Sequence, residues 1–181
     1  MKCAVKQRMN DQHTRSLDNF INIGIDSCSI QMMKQFGFGS IRLRRVLDRI
    51  RKNLDDDFSM SKEKNYKGVG VDFEDVDAGL YITHREFDKQ IGFEDMKFGT
   101  EFDAYINVGV KLFTLALKGE FTFGHDRMQK LYSAVFDEIQ SILSGYKAIK
   151  AYSEFDVLSM TSAKLRNNLI QQKKGLKKNG K

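Results

Sequence analysis

Apolar residues recur at helical spacing in two stretches of this chain, and the two stretches match each other. Ile21, Ile25, Cys28, Met32 and Phe36 follow at intervals of 4, 3, 4 and 4, the stripe of an amphipathic helix. Ile106, Val110, Phe113, Leu117 and Phe121 repeat those intervals. Each stripe enters a short glycine-bearing turn, FGFG at 36–39 and FTFG at 121–124. A second helical stripe then follows: Leu43, Val46, Leu47, Ile50 and Leu54 in one case, Met128, Leu131, Val135, Ile139 and Ile142 in the other. An ungapped offset of 85 lays residues 18–54 on 103–139 with 8 identities in 37 pairs, where ordinary composition gives roughly two. The identical pairs are Asp18/Asp103, Ile21/Ile106, Asn22/Asn107, Gly24/Gly109, Phe36/Phe121, Phe38/Phe123, Gly39/Gly124 and Arg42/Arg127. The pattern predicts an internal duplication of one αα-hairpin.

Local residues fit that reading. Gly39 and Gly124 let the backbone break, Ser40 suits a helix cap, and Asp126 places negative charge at a helix start. The paired phenylalanines are expected to plug the closed end of each hairpin, with ligand-binding aromatics as the alternative. Gly24 and Gly109 interrupt otherwise good helices, where glycine costs about 0.5–1 kcal/mol relative to alanine. Their retention in both units predicts a close approach of two helices around a pseudo-twofold axis; a local kink is the alternative.

Between the units, residues 54–68 read as a linker. Val69, Val71 and Phe73, then Leu80 and Ile82, alternate as in a short β-hairpin. A last helix is expected over about 154–171, with Phe155, Leu158, Leu165 and Leu169 inward, followed by a frayed basic tail. The predicted class is therefore mainly α with a minor α+β element. The expected organisation is a first hairpin and linker at 14–66, an acidic insert at 67–100, a second hairpin at 101–145, and a C-terminal helix and tail at 146–181.

The chain's 181 residues, 41% of them hydrophobic, can bury a real core. No apolar run is long enough to span a membrane, and the first residues lack a secretory signal's apolar stretch. Cys3 and Cys28 suggest no disulfide or metal framework, which points to a reducing cytoplasm. The net charge of +6 conceals strong segregation. Residues 1–54 carry 11 basic and 4 acidic side chains, residues 55–105 carry 6 and 14, and residues 161–181 carry 7 basic and none acidic. Such blocks attract one another or serve separate partners.

Catalytic signatures are missing. His13, His84 and His125 lack metal spacing, and no nucleophile elbow, phosphate loop or CxxC motif occurs. Asp72, Glu74, Asp75 and Asp77 form an acidic cluster without calcium-loop spacing. It reads as a solvated turn, or as an acidic surface for a partner. No cofactor is expected. Arg42, Arg45, Arg49 and Lys52 recur at 3, 4 and 3, with Arg44 and Arg51 on the flanks. This stripe fits a phosphate-tracking surface and equally fits a solvated helix face. Only Arg127 and Lys130 persist in the second unit, so a binding unit and a supporting unit are expected. A DNA-reading helix-turn-helix is disfavoured, because Met33, Lys118, Gln35 and Glu120 occupy the positions that motif keeps small.

The stretch FGFGSIRLRRVLDRI, residues 36–50, resembles a box in small phage and prophage proteins of Gram-positive bacteria. There an apolar helix enters FGFG, and after two variable residues an Arg-Leu pair opens a basic helix. The matching residues are Phe36, Gly37, Phe38, Gly39, Arg42, Leu43 and Arg45, and the second unit departs at Thr122 and Met128. The resemblance implies a mobile-element origin and a protein that binds and blocks a host defence complex. Its nearest class is the type II anti-CRISPR proteins, whose targets are RNA-guided effector nucleases. Two expectations stand together: a non-enzymatic inhibitor that binds a protein partner, and a DNA- or RNA-binding accessory protein.

Overall fold

The computed structural model of the protein describes the backbone of residues 2–65 and 94–178, and the side chains within 18–53 and 94–177. The described residues form five helices: α1 (Lys2–Phe36), α2 (Ser40–Asn65), α3 (Asp103–Glu120), α4 (His125–Lys147) and α5 (Glu154–Lys178). No strand occurs among the described residues. The alternating residues of the expected β-hairpin lie outside them, as does the acidic cluster Asp72, Glu74, Asp75 and Asp77. Helix α2 does not end at Leu54; its backbone stays helical to Asn65. The stretch read as a linker holds no proline, and its first glycine is Gly68, so nothing earlier stops the helix.

The architecture follows from one crossing. A Cβ on Gly24 would lie 2.4 Å from the Ile106 carbonyl oxygen and 2.6 Å from the Val110 nitrogen. A Cβ on Gly109 would lie 2.0 Å from the Ile21 carbonyl oxygen. Helices α1 and α3 therefore touch backbone to backbone, closer than any side chain permits. The expected close approach is present, and it is reciprocal, because Ile21 and Ile106 are themselves an offset pair.

Packing then runs crosswise. Helix α1 packs on α3, α4 and α5, α2 packs on α3, and α4 packs on α5. Among the described residues, neither α1 with α2 nor α3 with α4 makes comparable packing. The two helices of a unit do not lie along each other there, as the expected αα-hairpins would place them; they pack by exchange. The second helix of each unit covers the first helix of the other. The sequence periodicity is blind to this difference, since an apolar stripe records that a face is covered and not by which neighbour.

Helix α1 is covered on several sides. Phe20, Ile23, Cys28, Ile30, Met32 and Met33 are buried, while Ile21 and Ile25 of the predicted stripe are half-buried beside the crossing. The stripe underestimated the buried surface because three helices, not one, pack against α1. Of its buried polar groups, Ser29 bonds within the helix, its Oγ donating to the Ile25 carbonyl at 2.8 Å, as Thr114 does to Val110 in α3 and Thr161 to Val157 in α5. Ser27 and Gln31 donate instead to Glu138 of α4. Helix α5 buries Leu158, Leu165 and Leu169 as expected, but Phe155 stays largely exposed with its edge on Phe20. It also runs on to Lys178 rather than ending near 171. Ser153 and Asp156 cap α5 reciprocally, each accepting the other's backbone N–H at 3.2 Å.

Residues 94–100 form a strap on α3 and α4. The Met96 N–H donates to Asn107 Oδ1 at 2.9 Å, and Asn107 Nδ2 returns a bond to the Met96 carbonyl at 2.8 Å. Asp103 accepts the N–H groups of Phe98, Gly99 and Thr100. Phe98 stacks on Phe136, and Lys147 Nζ donates to the Phe98 carbonyl at 3.2 Å.

The core also holds opposite charges at offset positions. Lys111, only 1% exposed, pairs with Asp95 of the strap. Its counterpart Asp26 is buried against α5, with Arg166 Nε at 3.8 Å. Burial pushes the Asp26 carboxyl above the usual aspartate range, and Arg166 and Lys173 offset only part of that.

Two stability predictions follow from this packing. Gly24→Ala or Gly109→Ala should each lower stability by at least about 1–3 kcal/mol through backbone overpacking. Gly175→Ala, at a helical site with open space around it, should be neutral or gain up to about 1 kcal/mol. Urea midpoints check both, and equal effects at all three sites would refute the crossing. Asp26 binds its proton more tightly in the folded state, so its contribution is complete below the unfolded value near 3.8 and is lost as pH rises through the folded value. Asp26→Asn should therefore raise the melting midpoint at pH 7, with the gain shrinking as pH falls toward 3.8. A gain independent of pH would show that the charge is not its source.

Candidate functional site

The exchange of helices brings the two turns together. Helix α1 ends at Gly37, whose φ of +64° is left-handed, and the Phe38 N–H returns to the Met32 carbonyl at 3.1 Å. The second turn has Thr122 where the first has Gly37, and it is built differently. Phe121 is extended, and the Phe123 N–H bonds the Phe121 carbonyl at 2.8 Å. The Leu43 N–H bonds the Gly39 carbonyl and the Met128 N–H bonds the Gly124 carbonyl, both at 3.1 Å. Glycines 39 and 124 are therefore the N-cap residues. Ser40, expected as a cap, is instead the first residue of α2, because the break falls at the glycine before it.

Four phenylalanines meet between the turns. Phe36 lies edge-on to Phe123 with centroids 5.2 Å apart, Phe38 to Phe121 at 5.0 Å, and Phe38 to Phe123 at 6.2 Å. The first two contacts exchange under the 85-residue offset. Each unit's rings thus pack on the other unit's rings, and one shared cluster replaces two separate plugs.

A cation lies over every ring of this cluster. The Arg42 guanidinium is 5.5 Å from the Phe38 centroid, Arg45 5.0 Å from Phe121, Arg127 5.8 Å from Phe123, and the Lys130 ammonium 5.8 Å from Phe36. These contacts also exchange in pairs. Sequence spacing had set Arg127 and Lys130 apart as remnants of a supporting unit. The structure joins them to Arg42 and Arg45 on one surface, which only the meeting of the turns could reveal.

The remaining cations continue along α2. Arg45 bonds Glu120 at 3.0 Å, Arg49 approaches the same carboxylate at 3.8 Å and leans over Gly119, and Arg51 bonds Asp48 at 3.1 Å. Arg44 and Lys52 are exposed. Among them Ile41 is 78% exposed, a large apolar side chain set beside Arg42, Arg44 and Arg45.

The matching face of α1 and α4 is different. Gln31, Lys34 and Gln35 face Lys130, Ala134 and Asp137 across an open groove of about 920 Å³. The offset partners of these six on α3 and α2 are Ala116, Gly119, Glu120, Arg45, Arg49 and Lys52. Arg49 and Glu120 bridge one interface, whereas Ala134 leaves the other open. At the groove's edge Glu138 accepts bonds from Gln31 Nε2 at 2.6 Å and Lys34 Nζ at 3.3 Å. Burial, with Glu138 nearby, pushes the Cys28 thiol up, so it stays protonated. No group of three potential metal ligands occurs among the described residues, and no helix there is long and apolar enough to cross a membrane.

No known family model, curated protein or solved structure matches this chain.

Phe38→Ala separates the two roles open to these aromatics. Loss of a buried ring that touches two others should cost about 3–5 kcal/mol, read as a large drop in melting midpoint. An unchanged midpoint would mean that the rings are a ligand platform and not core.

Proposed function

We propose that this protein is a non-enzymatic, phage-encoded binding protein that blocks a bacterial defence complex, with an RNA-guided effector nuclease as its target. One observation carries the reading: a continuous basic face runs from the paired turns along α2, with Ile41 exposed within it. Such a face suits a target that offers both an acidic or phosphate-bearing surface and an apolar pocket. An RNA-guided nuclease with bound nucleic acid offers both. The resemblance of residues 36–50 to the phage box supports the same assignment.

The two units are read as copies of one ancestral helix-turn-helix unit. Support comes from contacts that exchange under the 85-residue offset: the glycine crossing, the ring pairs and the cation–ring pairs. In this reading the first unit keeps the partner face, and the second contributes Arg127 and Lys130 to it.

A second reading, a DNA- or RNA-binding accessory protein, is favoured by the exposed Arg44, Arg51 and Lys52 on α2. Cleavage assays with purified RNA-guided nucleases, guide and target DNA separate the two. The inhibitor reading expects wild type to stop cleavage by a susceptible nuclease. Ile41→Asp should raise the inhibitory concentration at least about ten-fold, equivalent to roughly 1.4 kcal/mol, without changing the melting midpoint. Tight binding to free nucleic acid, with no inhibition across a panel of such nucleases, would put the accessory protein in front.

A further inference from the structure

Arg42, Arg45, Arg127 and Lys130 are far apart in sequence and come from two units, yet they surround one aromatic cluster. We infer that this pole is a composite phosphate-binding surface that grips the backbone of a duplex nucleic acid. The inference rests on the reading above, in which the target complex carries nucleic acid, and it names the part of the target that this pole meets.

Three features favour a duplex backbone. The cations are held in place, because each sits over a ring and the rings contact one another at 5.0 to 6.2 Å. A guanidinium laid on an aromatic face can still present its N–H edge, which matches phosphate oxygens in a two-pronged way, although Arg45 already gives one N–H to Glu120 at 3.0 Å. The array is also two-sided: Arg42 and Arg127 exchange under the offset, as do Arg45 and Lys130. The antiparallel strands of a duplex are related by local twofold axes, so paired cations meet equivalent phosphates on the two strands. The surface of a single acidic protein chain carries no such repetition built into its covalent structure. Of the nearby carboxylates, Glu120 is held by Arg45 and Arg49, and Asp126 stands exposed at the start of α4.

This surface differs from the stripe expected along α2. If the stripe were the phosphate surface, Arg51 and Lys52 would matter, and Arg127 and Lys130 would not. The full-length protein is titrated against random-sequence duplex DNA at several salt concentrations, with no nuclease present. Three double variants are compared: Arg42→Gln with Arg45→Gln, Arg127→Gln with Lys130→Gln, and Arg51→Gln with Lys52→Gln. Wild type should bind with a steep salt dependence. Each of the first two variants should lower the log–log slope by up to about 1.8, from about 0.9 per lost phosphate contact, and the third should leave it unchanged.

Melting midpoints are recorded for every variant, since these cations also cover rings. Arg127→Lys with Arg42→Lys keeps the charge and should retain most of the slope, even where the midpoint falls. Absence of wild-type binding at low salt overturns the inference, as does a slope change confined to Arg51 and Lys52. Because the titration contains no nuclease, either failure leaves the inhibition assay to judge the broader reading separately. Inhibition that persists without duplex binding would assign the pole to a protein contact.

Discussion

The contact on which this molecule depends is the backbone-to-backbone crossing of α1 and α3 at Gly24 and Gly109. Two helices that meet through side chains keep their axes about 8–10 Å apart. Here the Cα of Gly24 lies 3.3 Å from where a Cβ of Gly109 would be, so backbone meets backbone with no side chain between. Close approach places both central helices inside the same core and leaves room on either side for the helix that follows the other. Helix α2 lies on α3 and α4 lies on α1. Neither half of the chain therefore completes its core without the other half.

That arrangement explains the burial of groups which sequence patterns place outside. Lys111 and Asp26 occupy offset positions on the central helices, and both are buried. Lys111 is compensated by Asp95 of the strap, and Asp26 only partly by Arg166 and Lys173. An ion pair inside a protein recovers its lost hydration only with close, well-bonded partners. The strap at 94–100 supplies such a partner on one side. On the other, α5 brings cations to a longer distance.

At the paired turns one set of residues serves packing and, in the proposed function, recognition. The phenylalanines close the core, and the cations above them shield the ring faces while staying at the surface. Rigid, ring-supported cations lose less conformational freedom on binding than unsupported ones. The two units nevertheless differ around this shared pole. Arg49 bridges to Glu120 on one side, while Ala134 leaves a groove on the other. The basic face is therefore continuous along α2 only.

Much of this was legible in the sequence. The helical periodicity placed the helices, because amphipathic spacing is a local property that any covering neighbour reinforces. The offset identities marked the glycines and the turns, because glycine inside a helix is costly unless the backbone needs the space. Chain length beyond the stripes was not legible: the apolar signal fades before α2 ends at Asn65 and before α5 ends at Lys178. The crosswise exchange was not legible either. A stripe such as Leu43, Val46 and Ile50 is satisfied equally by α1 or by α3, and only the three-dimensional crossing decides which helix covers it. For the same reason sequence spacing could display a stripe of cations along α2 but not the cluster at the turns. Arg42 and Arg127 become neighbours of one aromatic cluster only after Phe38 meets Phe123 across the two units.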